Sequence, residues 1–402
     1  MHAEAAFVLT ILVFCYAVIS GLVKRWYLAP ALIFVVLGML VGPSGLGLVE
    51  GGGQATHAFT VLAELALIVG LFNQASRLDW RGVLRRGWLT LRLLAIGIPA
   101  SIALGTLTAA VLLPVLPLWE AVCLAVIVAP IEATMIEALL DDRRIPERVR
   151  HALSVESGFS DGFALAGLLV ALALASHRVD HILGRSVWFA LRTELVSVAV
   201  GVVIGLVGGL VIARFGARGW MSETWAQLAT LALALVCFWV AEDLHASGFV
   251  GAFAGGVAYA TASPRSEDRP AMTQVSDAAA ELLALLVFAL LGAFSVIPAW
   301  RHVGWREALF AVLALFVVRL VAVAIASVRS GLSAPSTLFA GWFGPRGIGT
   351  LVLGLFVIDN GVLQQGSLIK HAVIVTVTLS LVLHSLTFPL GLRLIAHDDE
   401  SA

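Results

Sequence analysis

Residues 154–175 read SVESGFSDGFALAGLLVALALA, a run that places two carboxylates at the start of an otherwise apolar segment. About 20 apolar residues span the roughly 30 Å hydrocarbon core of a bilayer, so the segment is long enough to cross it. A carboxylate inside a membrane is costly, and it usually serves a function. Glu156 and Asp161 are therefore the first candidates for a functional site.

The composition of the whole chain also indicates a membrane protein. Apolar residues make up 60% of the 402 residues and charged residues only 13%, which is far from the mixture found in soluble domains. The sequence predicts an all-α membrane protein with about 13 transmembrane helices, centred near residues 15, 38, 66, 101, 128, 164, 200, 233, 253, 288, 316, 347 and 382. A formal net charge of −1 gives no reason to expect a nucleic-acid partner.

The basic residues predict the orientation of these spans. With the N-terminus outside, roughly 16 Lys and Arg residues fall on the inner side and about 5 on the outer side, as the positive-inside rule requires. The first apolar segment lacks the basic region and the small-residue cleavage site of a signal peptide, so we interpret it as a retained span. We expect a multi-pass protein of the plasma (inner) membrane, surrounded by lipid, with a cytoplasmic C-terminus.

Two apolar segments are interrupted at corresponding places. Residues 125–140 read AVIVAPIEATMIEALL and residues 340–355 read AGWFGPRGIGTLVLGL. Pro130 and Pro345 each remove a backbone N–H, and the freed backbone groups must be buried in protein or line a wet cavity. Broken spans at matching positions are typical of transporters with inverted repeats. The alternative is a pair of ordinary proline kinks.

The predicted organisation is a single membrane domain with two inverted repeats and broken crossing helices in spans 5 and 12. The first repeat covers residues 1–176 and the second covers residues 221–402, with span 7 in the linker 177–220. Because the first repeat begins outside and the second inside, the two are inverted, as that architecture needs.

Four spans place ionisable residues near mid-depth. They are Glu132 in span 5, Glu156 and Asp161 in span 6, Arg319 in span 11 and Arg346 in span 12. Burial disfavours the charged form of a carboxylic acid, so a proton can compete with a cation for it. This pattern is what a proton/cation exchanger needs, with Asp161 as the best candidate for the shared site.

Arg319 needs a neutralising partner, because an unpaired guanidinium at that depth is very costly. The surrounding residues 313–326, LALFVVRLVAVAIA, contain no carboxylate, and we expect Glu156 to be the partner. Glu156 lies five residues before Asp161, about 140° away around a helix, so the two carboxylates face different neighbours. The alternative is that Arg319 extends to the inner membrane surface.

Several stretches resemble the sodium/proton exchanger branch of the monovalent cation:proton antiporter superfamily. Residues 127–165, IVAPIEATMIEALLDDRRIPERVRHALSVESGFSDGFAL, are similar to the family's stretch in which a Pro-Thr-Asp broken helix is followed by an inner loop. In that stretch, Glu-Ser and Asn-Asp-Gly follow on the next helix. The end of span 3, the start of span 9, span 10 and span 12 also resemble the family, in LFNQASRLDW, LHASGFVGAFAGGV, FALLGAF and GWFGPRGIGTLVLG.

This resemblance implies a homodimer in which spans 4–6 and 11–13 move as a transport core against a dimerisation domain. It implies that Asp161 carries the cation (Na⁺, Li⁺ or K⁺) and the proton, with Ser157 as a neighbouring ligand. It also implies that Glu156 and Arg319 form a structural ion pair and that Arg346 supports the broken span 12.

The chain departs from the family pattern at three positions. Ile131 and Glu132 stand where the family usually has Thr and Asp, and Ser160 stands where it has Asn. Glu132 and Ser160 keep oxygen atoms and remain candidate ligands. With one ionisable side chain in the Ser160/Asp161 pair, the family pattern favours electroneutral one-for-one exchange, although Glu132 could also titrate.

Two other functions remain open. The altered positions 131, 132 and 160 would also suit a sensor or regulatory relative that no longer transports. Residues 158–162 match the GxSxG pattern of serine hydrolases, which needs a strand, a sharp turn and a helix together with a His and an acid. A secondary transporter needs no cofactor, and the sequence contains no His, Cys or carboxylate spacing of a structural zinc site.

Overall fold

The computed structural model describes residues 3–26, 28–49, 53–77, 88–132, 142, 144–175, 183–262, 269–359 and 363–396. Helices dominate this part of the chain. They are α1 Ala3–Arg25, α2 Pro30–Val41, α3 Gly53–Ser76, α4 Trp88–Leu112, α5 Leu118–Val128, α6 Glu147–Ala175, α7 Leu183–Ala217, α8 Glu223–Asp243, α9 Gly248–Ala262, α10 269–302, α11 Trp305–Ser327, α12 Ala334–Trp342, α13 Ile348–Asp359 and α14 Gly366–Ala396.

The helices have the lengths and composition of a multi-pass membrane protein. In the described residues, 9 helices are long and apolar enough to cross a membrane, and α2, α5, α9 and α13 are shorter apolar helices. The all-α membrane fold predicted from the sequence is confirmed. The exact number of crossings and the division into repeats at residues 176 and 221 stay predictions.

Two long helices accommodate a proline by widening one turn. A π-helical turn at Leu93–Gly97 precedes Pro99 in α4, and another at Gly292–Val296 precedes Pro298 in α10. Proline lacks the N–H that would close the preceding α-helical turn, and a π-bulge reroutes the hydrogen bonds around it. Both helices therefore continue past their prolines.

The helices pack as two groups. One group contains α1, α2, α3 and α7–α10, and the other contains α4–α6 and α11–α14. Within the first group, α7 and α9 approach backbone to backbone, because a Cβ on Gly201 or Gly205 would meet the carbonyl oxygen of Gly251 or Gly255. Small residues at this spacing permit such close approach. The two groups meet where α3 contacts α6 and α13, where α6 contacts α7, and where α10 contacts α14.

Candidate functional site

The two interrupted segments meet at an extended crossing. Helix α5 ends at Val128, and helix α12 ends at Trp342 before five non-helical residues lead into α13. At the crossing, the backbone N–H of Glu132 donates to the carbonyl oxygen of Pro345 at 2.8 Å. Both prolines therefore stand beside unwound backbone whose polar groups are used within the protein. The second half of predicted span 5, residues 133–141, lies outside the described residues.

The Glu132 carboxylate caps the start of α13. It is buried, and its Oε2 accepts a hydrogen bond of 2.7 Å from the backbone N–H of Ile348. The first N–H groups of a helix have no partner within the helix, and the helix dipole favours negative charge at this end. Glu132 therefore supplies both a hydrogen-bond acceptor and a compensating charge.

Asp161 lies against the same helical turn. Its side chain is 5% exposed, and a Cβ placed on Gly349 would lie 2.8 Å from the Asp161 Cγ and 3.0 Å from its Oδ2. A Cβ on Gly347 would likewise collide with the Glu132 side chain. The glycines at 347 and 349 thus let two carboxylates reach the backbone at the N-terminus of α13.

Ser160 connects the Asp161 helix to the extended part of span 5. Its Oγ accepts a hydrogen bond of 3.2 Å from the Ile131 N–H, and it lies 3.1 Å from the carbonyl oxygen of Ser157. The Ser157 hydroxyl donates to the Ser154 carbonyl at 2.9 Å. Both serines are buried and lie within four residues of Asp161 on α6.

Glu156 and Arg319 form a buried ion pair between α6 and α11. The Arg319 guanidinium donates from Nη1 to Oε1 and, at 3.0 Å, from Nη2 to Oε2 of the Glu156 carboxylate. The exposed fractions are 3% for the Arg319 side chain and 2% for that of Glu156. Arg319 Nη2 also lies 3.4 Å from the carbonyl oxygen of Ala340 in α12. The pair thus joins three elements of the second helix group.

Arg346 and α14 hold the interruption of span 12. The Arg346 N–H donates to Ser380 Oγ at 2.8 Å, and its guanidinium donates to the Gly344 carbonyl at 2.7 Å. His384 lies on the next turn of α14. Its Nδ1 is 3.1 Å from Ser380 Oγ, and its Nε2 is 2.9 Å from the carbonyl oxygen of Trp342. Backbone groups freed by the break are thereby satisfied on both sides of it.

A cavity adjoins this crossing. It has a volume of about 260 Å³ and lies between α3 and α10, with Glu132 and Ile348 in its lining. Asn73, Gln74 and Glu281 provide further polar lining, and an ion pair joins Arg77 to Asp277. Among the described residues, Glu132 rather than Asp161 lines this cavity, so we call it the Glu132 cavity.

The structure brings Glu132 and Asp161 together at the first turn of α13 and places Ser160 against the backbone of Ile131. The Arg319 guanidinium of the Glu156–Arg319 pair lies beside Gly344, in the interruption of span 12. The sequence did not indicate the contributions of Gly347 and Gly349 or of Ser380. The signal for Ser380 was present, since Ser380 and His384 form a polar pair spaced four apart in an apolar helix. Carboxylates inside other apolar segments, Glu64 and Glu120, were also overlooked.

Comparison with known proteins supports this architecture. The sodium proton antiporter MjNhaP1 from Methanocaldococcus jannaschii superposes with a TM-score of 0.80 at 19% identity, covering 95% of this chain and 98% of that chain. At this identity the likeness concerns the fold. The K(+)/H(+) antiporter NhaP from Alkalimonas amylolytica is 27% identical over 362 residues, which is 87% of this chain and 60% of that protein.

A second relative is the sodium, potassium, lithium and rubidium/H(+) antiporter of Bacillus subtilis, 27% identical over 300 residues. The match covers 71% of this chain and 43% of that protein, so the chain spans less than two thirds of the length of either relative. The sequence matches the transmembrane sodium/hydrogen exchanger family over residues 9–393, nearly its whole length. The chain therefore belongs to the sodium/hydrogen exchanger family.

Proposed function

We propose that the protein is a monovalent cation/proton antiporter, a secondary transporter rather than an enzyme. The observation that carries the proposal is the pair of buried carboxylates, Glu132 and Asp161, at the N-terminal turn of α13 beside a cavity. Na⁺ is the first candidate for the cation because of the family. K⁺ follows closely, and the relatives named for K⁺ support its inclusion.

Asp161 is the proposed shared site for the cation and the proton. A carboxylate can hold a proton or a monovalent cation, and one negative charge cannot neutralise both at once. Ser157 and Ser160 carry the nearest side-chain hydroxyls along α6, and such oxygens can replace part of the hydration of a hard cation. Alternating exposure of Asp161 to the two sides of the membrane would then exchange one ion for the other.

Glu132 differs from Asp161 in its partners. Its carboxylate already accepts from the Ile348 N–H, so the dipole of α13 compensates its charge. A compensated Glu132 would keep its charge through the cycle and leave Asp161 as the single exchanging group. This arrangement favours electroneutral one-for-one exchange.

The remaining assignments follow from the same proposal. The Glu156–Arg319 pair and Arg346 would maintain the scaffold around the broken spans, since their partners are structural elements of the second helix group. We further propose a homodimer in the plasma (inner) membrane, with the N-terminus outside and the C-terminus in the cytoplasm. The distribution of basic residues supports this orientation.

The hydrolase alternative has little support from the geometry. Ser160 lies in the middle of the continuous helix α6, whereas the nucleophile of a GxSxG hydrolase stands on a strand-to-helix turn. Its hydroxyl is also engaged with the backbone of Ile131. The non-transporting sensor remains the second candidate, because Ile131, Glu132 and Ser160 replace residue types usual in the family.

Exchange in proteoliposomes tests the proposal. Purified protein should move protons when Na⁺, Li⁺ or K⁺ gradients are applied across pH 6 to 9, and clamping the membrane potential should leave an electroneutral rate unchanged. Asp161→Asn in the same vesicles controls for leakage. If the protein moves no protons under any of the three cations, the antiporter proposal fails and the sensor is favoured.

A further inference from the structure

A second cavity lies beyond the crossing, on the other side of the α3–α13 contact. It has a volume of about 220 Å³, and among the lining residues that the structure describes, Glu64 supplies the only carboxylate. The rest of its lining is Thr60, Ala63, Phe249, Val352, Leu355 and Phe356. These residues come from α3, α9 and α13, so both helix groups contribute walls. We call this space the Glu64 cavity.

Only a thin barrier separates the two cavities. On α13, Ile348 lines the Glu132 cavity and Val352 lines the Glu64 cavity. These residues are one helical turn apart, about 6 Å along the axis. On α3, the corresponding limits are Ala66 and Ala63, which have small side chains and are less than one turn apart.

Asp161 lies at the level of this barrier. Its carboxylate contacts Gly349, which belongs to the turn between Ile348 and Val352. A joint shift of α6 and α13 by about one turn relative to α3 would therefore transfer the Asp161 site from one cavity to the other. Shifts of this size between packed helix groups occur in alternating access.

Glu64 provides a negative charge in the second cavity, where an access path for cations would need one. It lies within the apolar segment His57–Ser76, at a depth where a carboxylate is costly unless it serves a pathway or a partner. The surrounding walls are apolar, and low-dielectric walls concentrate the field of a charge inside a cleft. A negative group there raises the local concentration of cations.

We infer that Glu64 attracts the monovalent cation on the face of the membrane opposite to the Glu132 cavity, where it serves as the acidic group of the second access path. This inference rests on the proposed antiport function. With the N-terminus outside, the Glu64 cavity would face outward. Glu281, which lines the Glu132 cavity, would have the equivalent task on the inner face.

Exchange measured from each face separately tests this inference. In proteoliposomes of known orientation, Glu64→Gln should raise the KM for the cation roughly threefold to tenfold at the Glu64 face and leave the KM at the other face unchanged. Glu281→Gln should show the opposite sidedness. Asp243→Asn is the matched control, because Asp243 is an exposed carboxylate at the end of α8 and lines neither cavity.

The outcomes separate the inference from the function on which it rests. A merely structural role of Glu64 would lower the amount of active protein and change the maximal rate at both faces, without a KM difference between them. If the wild type exchanges cations and Glu64→Gln has the same KM as the wild type at both faces, the inference is overturned and the antiporter remains. A wild type without exchange overturns both.

Discussion

Replacing Glu156 by Gln should destabilise the protein by about 3 kcal/mol. The Arg319 guanidinium donates two hydrogen bonds to the Glu156 carboxylate. An amide of the same shape has one acceptor oxygen, and its NH₂ group would point at an N–H of the guanidinium. One charge-assisted hydrogen bond is lost, and the positive charge loses its counterion.

The magnitude follows from the burial of the pair. With side-chain exposures of 3% and 2%, water can reach neither group to compensate. Removing one partner of a buried ion pair costs about 3–5 kcal/mol, and an amide retains part of the contact, which sets our value at the lower end. Replacing both residues with apolar side chains, as in Glu156→Leu with Arg319→Met, should recover most of the loss, because no buried charge is then left.

The assay is the apparent free energy of unfolding in mixed micelles, titrated with SDS and followed by the fluorescence of the 11 Trp residues. Asp277→Asn is a matched control, because it breaks an ion pair whose side chains are 43% (Arg77) and 27% (Asp277) exposed. An exposed pair contributes about 1 kcal/mol or less. A Glu156→Gln variant as stable as the control, or a double variant no more stable than the single one, would refute the reasoning.

The other predictions concern the turn shared by the two carboxylates. Asp161→Asn should abolish exchange while size-exclusion chromatography still shows the elution profile of the folded wild type; substantial residual exchange would move the carrier role to Glu132. Gly349→Ala should lower exchange at least about tenfold, because the new methyl group occupies the space of the Asp161 carboxylate. Gly216→Ala is the control: no atom lies within 4 Å of the added Cβ, so this variant should exchange as the wild type does. Glu132→Ala should lower the free energy of unfolding by about 1–2 kcal/mol in the same SDS titration, because the helix cap is lost. Glu132→Gln should lower it less, because the amide oxygen can still accept the hydrogen bond. Equal decreases for the two variants would argue against capping.

The broken spans and the ion pair could be predicted from the sequence for local physical reasons. Pro130 and Pro345 remove backbone donors wherever they stand, so an interruption follows from the residue itself. Arg319 in an apolar span demands a carboxylate, and Glu156 was one of few available. In both cases the cost of leaving a polar group unsatisfied in lipid limits the solutions to a small number.

The contacts of Glu132 could not be predicted from the sequence. Its carboxylate meets the N–H of Ile348, 216 positions further along the chain, and no local pattern specifies that register. The close approach of Asp161 to Gly349 likewise depends on how α6 lies against α13. Glu64 was overlooked for a different reason: its depth was visible in the sequence, but only the fold shows that it lines a cavity.

The bare backbone at Gly347 and Gly349 has a consequence for engineering ion selectivity. On this side of the site, the two carboxylates face peptide groups, and any side chain added at these positions would displace them. A selection library should therefore keep glycine at positions 347 and 349. Randomisation should be directed to positions 131, 157 and 160, whose side chains are buried beside the two carboxylates on the side formed by α6 and the broken span 5. Under alternating Na⁺ and K⁺ selection, such a library should yield its specificity variants there.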